Sequence, residues 1–432
     1  MKLTREEEVL LRGQEGPARQ RAMELLVQYA EALGAEEFEE CDNVHLLTSF
    51  HFVPSILDEH LNVHDIDDLV SKSVLLAKDT LHIDKVKAFT TMHITTIDLE
   101  HWDLQQSPTT GRDPSSFREL VIGMEAYLRR IGVAVTSTCC PYMVGNMPSL
   151  GEHCAWTESS AIAYANSILG ARTNIEGDHS SFATALTGRT PKWGFHLDEN
   201  RHADFIVHVE AQPQTVMDWD LLGYYAGFAV GNQMPVFVNV RTPPNMFKLM
   251  ALASTVAITG AVNMFHVVGI TPEAHTLDQA TGRRKPRGRI VYGQAERKAA
   301  YEKANTATRN HVDLVAIGCP HYNLERLGRL ARLLENKKVA DNTALLIFTS
   351  SLMKAAADRS GWLQTYNKAG AHVITDSCPM QAKIDPSATI ALDSAKIVNQ
   401  CAGQKGWKNV WYGSMEDCVD AATTGTWRGE LG

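Results

Sequence analysis

The chain has 432 residues, which at roughly 150 residues per domain is enough for about three packing units. It is 44% hydrophobic and 21% charged, which excludes a largely disordered chain, and 41 basic against 50 acidic residues give a net charge of −9. This balance supplies no overall positive field for a nucleic-acid backbone, so the composition favours an enzyme that acts on a small molecule.

The start of the chain carries three consecutive glutamates, at positions 6–8, where a signal peptide would have its apolar core. We therefore expect a cytoplasmic protein. The uncharged run 249–270 is long enough to span a bilayer, but it contains polar residues and divides into a helix that begins after Asn245 and a strand around 265–268. We predict that this run is buried core and that the chain makes no contact with a membrane.

Hydrophobic periodicity predicts helices that alternate with short apolar strands along most of the chain. In chain order, the predicted helices are 6–12, 18–33, 116–130, 155–169, 219–230, 324–334 and 361–369. The predicted strands are 44–53, 86–91, 131–135, 205–209, 235–240, 312–317, 344–348 and 371–375. This order predicts an α/β fold of several largely parallel sheets covered by helices, with sub-boundaries near residues 120 and 310.

The eight cysteines include no C-x-x-C pair, which disfavours zinc ribbons, thioredoxin-type centres and clusters held by one local loop. Three of the cysteine positions follow an apolar strand and lie next to or close to a proline: Cys139-Cys140, Cys319 and Cys378. Ligands of open α/β sheets bind outside the carboxyl ends of strands, so these loops can converge on one point. Three thiolates would suit an iron–sulfur cluster. A structural zinc site and inert core thiols remain alternatives.

Polar residues cluster near the first of these loops. His153 and Glu158 are five residues apart, about 140° around a helix, so they need not share a face. Arg172 follows Gly170, where a helix should end, and is well placed to hold a carboxylate. A surface helix terminus is the alternative interpretation for Arg172, and ordinary capping is the alternative for Asn174.

Five strings resemble the signature of the aconitase X family. They are TCCPYMVGNMPSLGEHCAWTESSAIAYANSILGARTN (138–174), ALTGRTPKWGFHLDENR (185–201), HVVGITPEA (266–274), GCPH (318–321) and TDSCP (375–379). The resemblance implies the catalytic region of an aconitase-superfamily dehydratase that carries an iron–sulfur cluster at the carboxyl ends of its strands. It also implies that Cys139, Cys319 and Cys378 are the cluster ligands, whereas Cys140 occupies a variable position.

The resemblance further implies a set of residues around the substrate. His153, Arg172, Asn174 and His321 are the candidate catalytic residues, with Arg172 as a carboxylate anchor and His321 beside the cluster. Glu158, Ser159 and Thr173 are the candidate substrate-binding residues.

Two departures from the family pattern affect the expected function. Ile175 stands where many members have an arginine, which weakens the case for a phosphorylated substrate. No stretch resembles the small swivelling domain of single-chain members, so a separate small subunit is implied, which would close the site and can supply the base.

The leading hypothesis is the large subunit of a dehydratase acting on a small hydroxy acid, cis-3-hydroxy-L-proline. Mevalonate 5-phosphate, the other substrate known in the family, is the alternative. A non-catalytic iron–sulfur sensor and a zinc-stabilised binding protein are alternatives of other classes. The sequence leaves the number of irons in the cluster open.

Overall fold

The computed structural model describes residues 1–47, 65–95, 97–105 and 114–432, and these residues form an α/β fold. The described strands are β1 (Phe38–Glu40), β2 (Asn43–Leu46), β3 (Phe89–Met92), β4 (Cys154–Trp156), β5 (Arg189–Pro191), β6 (Phe205–Val209), β7 (Pro235–Val238), β8 (His266–Val267), β9 (Gly288–Tyr292), β10 (Leu314–Tyr322), β11 (Ala344–Thr349), β12 (His372–Ile374), β13 (Ile390–Leu392) and β14 (Val410–Tyr412).

The described α-helices are α1 (Arg5–Leu11), α2 (Pro17–Leu33), α3 (Ile66–Leu69), α4 (Pro114–Arg130), α5 (Ser159–Tyr164), α6 (Asp178–Thr187), α7 (Val216–Val230), α8 (Met246–Gly260), α9 (Leu277–Thr281), α10 (Gln294–Ala304), α11 (Leu324–Leu334), α12 (Ser351–Arg359), α13 (Trp362–Ala369), α14 (Ala395–Gln400) and α15 (Met415–Thr424). Helices α3, α5 and α14 continue into single π-helical turns at Val70–Val74, Ala165–Leu169 and Cys401–Lys405.

Three parallel sheets organise the described chain, which confirms the predicted fold class. Their strand orders are β3-β2-β4, β8-β7-β6-β9 and β12-β11-β10-β13-β14, and every pairing within them is parallel. A two-stranded antiparallel pair, β1 with β5, lies apart from them. The sub-boundaries near 120 and 310 stay predictions, and the first sheet contains strands on both sides of residue 120.

Two local predictions were wrong in a way that affects the site. The predicted helix 155–169 begins instead as β4, because Cys154–Trp156 pairs with β2 over more than 100 residues of sequence separation. The predicted strand 131–135 forms only one bridge, from Ala134 to Thr91. Of the predicted strand 44–53, β2 takes the first part, and residues 48–53 lie outside the described residues.

The uncharged run 249–270 is core, as predicted. Asn245 caps α8 by accepting a hydrogen bond from the Lys248 amide at 3.1 Å, and β8 lies at the end of the run. Helix α8 packs so tightly on α7 that a Cβ atom on Gly227 would lie 2.0 Å from the Thr259 hydroxyl oxygen and 3.0 Å from the Gly260 nitrogen. In the described part of the chain, no helix combines the length and the apolarity that crossing a membrane requires.

Candidate active site

The three predicted cysteine ligands come together where strands of the first and third sheets end. The chain before Cys139 runs along β3, since the Thr136 hydroxyl and the Thr138 amide donate to the Met92 carbonyl at 3.1 and 3.4 Å. Cys319 lies near the end of β10, and Cys378 lies four residues beyond the end of β12. Negative charge on Cys139 raises the pKa of both Cys319 and Cys378, as expected of thiols in one site.

His321 connects all three cysteine loops. Its Nε2 lies 2.7 Å from the Ser377 carbonyl oxygen, which can only accept, so Nε2 carries the proton. Its Nδ1 then accepts a hydrogen bond from the Thr138 hydroxyl at 3.0 Å. The backbone amide of His321 also donates to the Cys139 sulfur at 3.4 Å. Both ring nitrogens are therefore occupied in positioning the loops.

Gly318 fixes Cys319 against the neighbouring strand. Gly318 has a φ of +106°, and a Cβ atom there would lie 2.2 Å from the Phe348 carbonyl oxygen. Its amide donates to Oδ1 of Asp393 at 3.2 Å. A residue with a side chain would force β10 away from β11, so glycine is required at this position.

The thiols differ in how readily they ionise. The hydrogen bond with Cys140 holds the pKa of Cys139 well below its ordinary value. Burial raises the pKa of Cys319 well above its ordinary value and raises the pKa of Cys378 to about 12. Such thiols become thiolates once a bound metal supplies positive charge.

A buried ion pair lies beside these thiols. The ammonium group of Lys396 pairs with Oε1 of Glu158 and lies 3.3 Å from the Ser160 hydroxyl, which donates to the same carboxylate oxygen at 2.6 Å. The side chains of Lys396 and Glu158 are only 6% and 12% exposed. Although burial opposes ionisation, Lys396 lowers the pKa of Glu158 to about 2. The pair joins the ends of the first and third sheets.

The residues present fit a thiolate-ligated metal group. Three thiols on three separate loops are soft donors of the kind that iron–sulfur clusters use. The charge of Lys396 acts on all three and would offset part of the negative charge of their thiolates. Among the described residues, the buried hydroxyl of Ser137, two residues before Cys139, has no hydrogen-bond partner, so the loop keeps an unused polar group.

Three of the other predicted residues form a second cluster at the opposite end of β4. His153 precedes this strand and Glu158 follows it, and five residues of extended chain span about 16 Å. The Nδ1 atoms of His153 and His196 lie 2.8 Å apart. The Arg172 guanidinium donates to the His196 carbonyl at 2.9 Å and pairs with Asp198.

Asn174 belongs to the same region, since its side-chain amide donates to the Trp193 carbonyl at 3.1 Å and its Oδ1 accepts from the Phe195 amide at 2.8 Å. Within the described residues, the predicted catalytic residues His153, Arg172 and Asn174 have no hydrogen bond to the cysteine site. The structure does not bring these three to the cysteines, and their catalytic roles stay predictions.

The remaining candidates have local roles in the structure. The Thr173 hydroxyl accepts from the Trp156 amide at 3.0 Å and donates to the Asn174 carbonyl at 2.9 Å, which holds this segment beside β4. Ser159 begins α5, but Ser160 is the serine that contacts Glu158. Sequence reasoning did not find Lys396. The sequence signal that could have indicated Lys396 is a lysine that closely follows an apolar strand, here β13.

Comparisons with known proteins cover nearly the whole chain. Models of the aconitase X first, second and third domains match residues 1–199, 203–302 and 312–424. A crystal structure of Thermococcus kodakaraensis aconitase X in its holo-form aligns with a TM-score of 0.81 at 33% identity, covering 98% of this chain and 100% of that chain.

Relatives carry two different names. A phosphomevalonate dehydratase large subunit from Methanosarcina mazei is 34% identical over 430 residues, which are 98% of each chain. A cis-3-hydroxy-L-proline dehydratase from Pseudomonas aeruginosa is 30% identical over 426 residues, which are 97% of this chain and 69% of that protein.

Proposed function

The chain belongs to the aconitase X family and is a dehydratase, and from that premise we propose that it is the large subunit of a cytoplasmic iron–sulfur enzyme acting on cis-3-hydroxy-L-proline. The reaction class is a carbon–oxygen hydro-lyase. The proposal adds the substrate, the cluster and the partner subunit.

One observation carries the choice of substrate: the buried pair of Glu158 and Lys396 beside the cysteines. A hydroxyproline is a zwitterion, with a ring ammonium and a carboxylate on one carbon. Lys396 would bind the carboxylate and Glu158 the ammonium, each at a charge of opposite sign. We assign the carboxylate to Lys396 rather than to Arg172, because Lys396 lies beside the thiols whereas Arg172 is bonded to His196 and Asp198 in the second cluster.

Cys139, Cys319 and Cys378 would hold the cluster, and His321 would keep their loops in register. When bound, such a cluster supplies a Lewis acid for the departing hydroxyl group. The chain's own contribution is to orient the hydroxy acid through two charged contacts and to bury it away from bulk water, where those contacts are strongest.

The fraction of each relative's length that aligns with this chain supports a partner subunit. The match spans 98% of a protein named as a large subunit but 69% of a cis-3-hydroxy-L-proline dehydratase. A swivelling domain fused to the catalytic region would lie in the unmatched part of the latter. We therefore propose that a separate small subunit completes this enzyme and closes the site.

Mevalonate 5-phosphate is the second candidate, favoured by the same full-length matches to phosphomevalonate dehydratase large subunits. A phosphate group requires several convergent cations. Lys396 is neutralised by Glu158, and Arg326, which lines the cavity next to Cys319, is paired with Asp393 at 2.7 Å. These pairings make the zwitterion the better match.

The test is an anaerobic assay of the reconstituted protein, with and without its small subunit, on both compounds. We expect turnover of the hydroxyproline only with the small subunit present. Turnover of mevalonate 5-phosphate alone would refute the proposed substrate.

The ligand assignment is tested by serine variants of the three cysteines. Cys139→Ser, Cys319→Ser and Cys378→Ser should each lose iron, acid-labile sulfide and activity, whereas Cys140→Ser and Cys418→Ser should retain all three. Zinc without iron or sulfide in the wild-type protein would refute the cluster.

A further inference from the structure

Cys140 is a thiol at the cysteine site that the preceding roles do not use. It is completely buried, and its sulfur lies 3.7 Å from the sulfur of Cys139, the residue directly before it in the chain. Successive side chains of an extended chain point to opposite sides, so this contact requires a turn of the backbone. The backbone is irregular here, since Ser137 has a φ of +41° and Cys140 has a ψ of 70°. The two sulfur atoms therefore face each other across one peptide bond.

Each sulfur of this pair is held in place by a further hydrogen bond. The sulfur of Cys139 accepts from the backbone amide of His321 at 3.4 Å. The sulfur of Cys140 accepts from the Tyr142 hydroxyl at 3.6 Å. The amide of Cys140 also donates to the Thr138 hydroxyl oxygen at 3.2 Å, which fixes the peptide between the two cysteines. These contacts hold the two sulfur atoms as neighbours whenever no metal separates them.

Cys140 is the best placed partner for Cys139 in the described part of the chain. No hydrogen bond joins the Cys139 sulfur to Cys319 or Cys378 among the described residues, whereas Cys140 lies within hydrogen-bonding distance. Cys319 and Cys378 are partly exposed and Cys139 keeps 8% of its surface, so a small oxidant can enter the site and reach Cys139. Cys140 is completely buried, so a larger thiol reagent cannot take its place beside Cys139.

We infer that Cys139 and Cys140 form a reversible disulfide when hydrogen peroxide reaches the metal-free site. This inference rests on the proposed function, in which Cys139 is a cluster ligand that becomes free when the metal is lost. The Cys139 sulfur attacks the peroxide and the O–O bond breaks; one oxygen stays on the sulfur as a sulfenic acid, and the other leaves as water. The Cys140 sulfur then attacks the Cys139 sulfur, the S–O bond breaks, and the hydroxide leaves as water with the Cys140 proton. Two thiols are thus oxidised to one disulfide while one peroxide is reduced to two waters.

This disulfide has two consequences for the enzyme. It occupies one of the three ligand sulfurs, so iron cannot be inserted again until the bond is reduced. It also protects Cys139 from the irreversible sulfinic and sulfonic acids. The Cα atoms of adjacent residues are about 3.8 Å apart, below the roughly 4.4–6.8 Å of ordinary disulfides, so the bond is strained and small thiols reduce it readily. Oxidative loss of activity is therefore reversible.

The test treats wild-type holoenzyme, assembled with its small subunit, with hydrogen peroxide and then alkylates the remaining thiols in denaturant. Cleavage after Arg130 and after Glu152 yields the peptide 131–152, in which Cys139 and Cys140 are the only cysteines, for mass spectrometry. We expect this peptide to carry no alkyl group and to be lighter than the dithiol form by two hydrogen atoms. Reduction with dithiothreitol before alkylation should restore both alkyl groups. Iron and sulfide added after the same reduction should restore most of the original iron content.

Cys140→Ser should contain normal iron before peroxide, but afterwards its Cys139 should carry two or three oxygen atoms, and reduction should not restore its iron. Cys418→Ser is the matched control, because Cys418 is also completely buried but lies on α15, and it should behave as the wild type. Both alkyl groups on 131–152 after peroxide, a disulfide from Cys139 to Cys319 or Cys378, or equal recovery of iron in Cys140→Ser and wild type would overturn the inference. The wild-type peptide mass decides it even where Cys140→Ser fails to assemble.

The two proposals fail in different ways. If Cys139→Ser keeps its iron, the proposed ligand assignment is refuted, and the mass of the wild-type peptide 131–152 still decides whether the disulfide forms. If Cys139→Ser loses its iron but the wild-type peptide keeps both alkyl groups after peroxide, only the disulfide is overturned.

Discussion

The buried pair of Glu158 and Lys396 gives a quantitative prediction about stability. Lowering the pKa of Glu158 from 4.5 to about 2 corresponds to about 3 kcal/mol, at roughly 1.4 kcal/mol per pH unit. Removing one partner of a buried pair typically costs about 3–5 kcal/mol, because the other charge is left unpaired. Lys396→Met and Glu158→Gln should therefore each lower the free energy of unfolding by about that amount.

The double variant should be far less damaging than the two single changes predict. Once both charges are absent, no unpaired charge remains buried, so the double variant should cost about 3 kcal/mol less than the sum of the single variants. The assay is urea unfolding of the anaerobic holoenzyme at pH 7, followed by circular dichroism.

The matched control is a pair on the surface. Arg12 and Glu8 are 66% and 45% exposed at an N–O distance of 2.7 Å, and the cycle Arg12→Met with Glu8→Gln should give a coupling of about 0.5 kcal/mol or less. A coupling for Glu158 and Lys396 no larger than that of the control would refute the argument from burial.

Three further predictions follow from single positions. Gly318→Ala should lower the free energy of unfolding by more than about 2 kcal/mol and reduce the iron content after reconstitution, because the alanine Cβ would lie 2.2 Å from the Phe348 carbonyl oxygen. Normal iron content and normal stability of this variant would contradict the prediction. Gly227→Leu should lower the free energy of unfolding by about 3 kcal/mol or more, because the leucine Cβ would lie 2.0 Å from the Thr259 hydroxyl oxygen. Thermal unfolding measures this effect, with Ala226→Gly as the control. Burial raises the pKa of Asp220 from 3.8 to about 7, so the folded state binds its proton more tightly and stability should fall as pH rises from about 4 through 7, by up to about 4 kcal/mol. Asp220→Asn should remove that slope and be the more stable protein at pH 8 in urea unfolding; an unchanged slope would show that other groups cause it.

Much of the fold could be predicted from local pattern. The apolar runs that became β10, β11 and β12, and the cap at Asn323 that begins α11, depend on neighbouring residues alone. The same holds for the division of 249–270 into a helix and a strand. Strand ends that carry cysteine then indicated Cys319 and Cys378, because parallel strands place their carboxyl ends at one edge of a sheet.

The contents of the site depended on contacts between distant segments. Three residues of β4 are too short to show a strand period, and only their pairing with β2 puts His153 and Glu158 at opposite ends of an extended segment. A helix there would have placed them about 7.5 Å apart along its axis and about 140° apart around it. The predicted catalytic group around Arg172 therefore lies away from the cysteines, held by Asp198.

The sequence by itself determined the class of fold, the family and the three thiols, because strand-forming runs, caps and long motifs are properties of contiguous residues. Only the tertiary structure decided which charged side chains lie next to those thiols. Lys396 and Glu158 are separated by 238 residues and become partners only where two sheets end together. The two occupied ring nitrogens of His321 likewise depend on what the ring contacts, and residue type and spacing carry no record of such contacts.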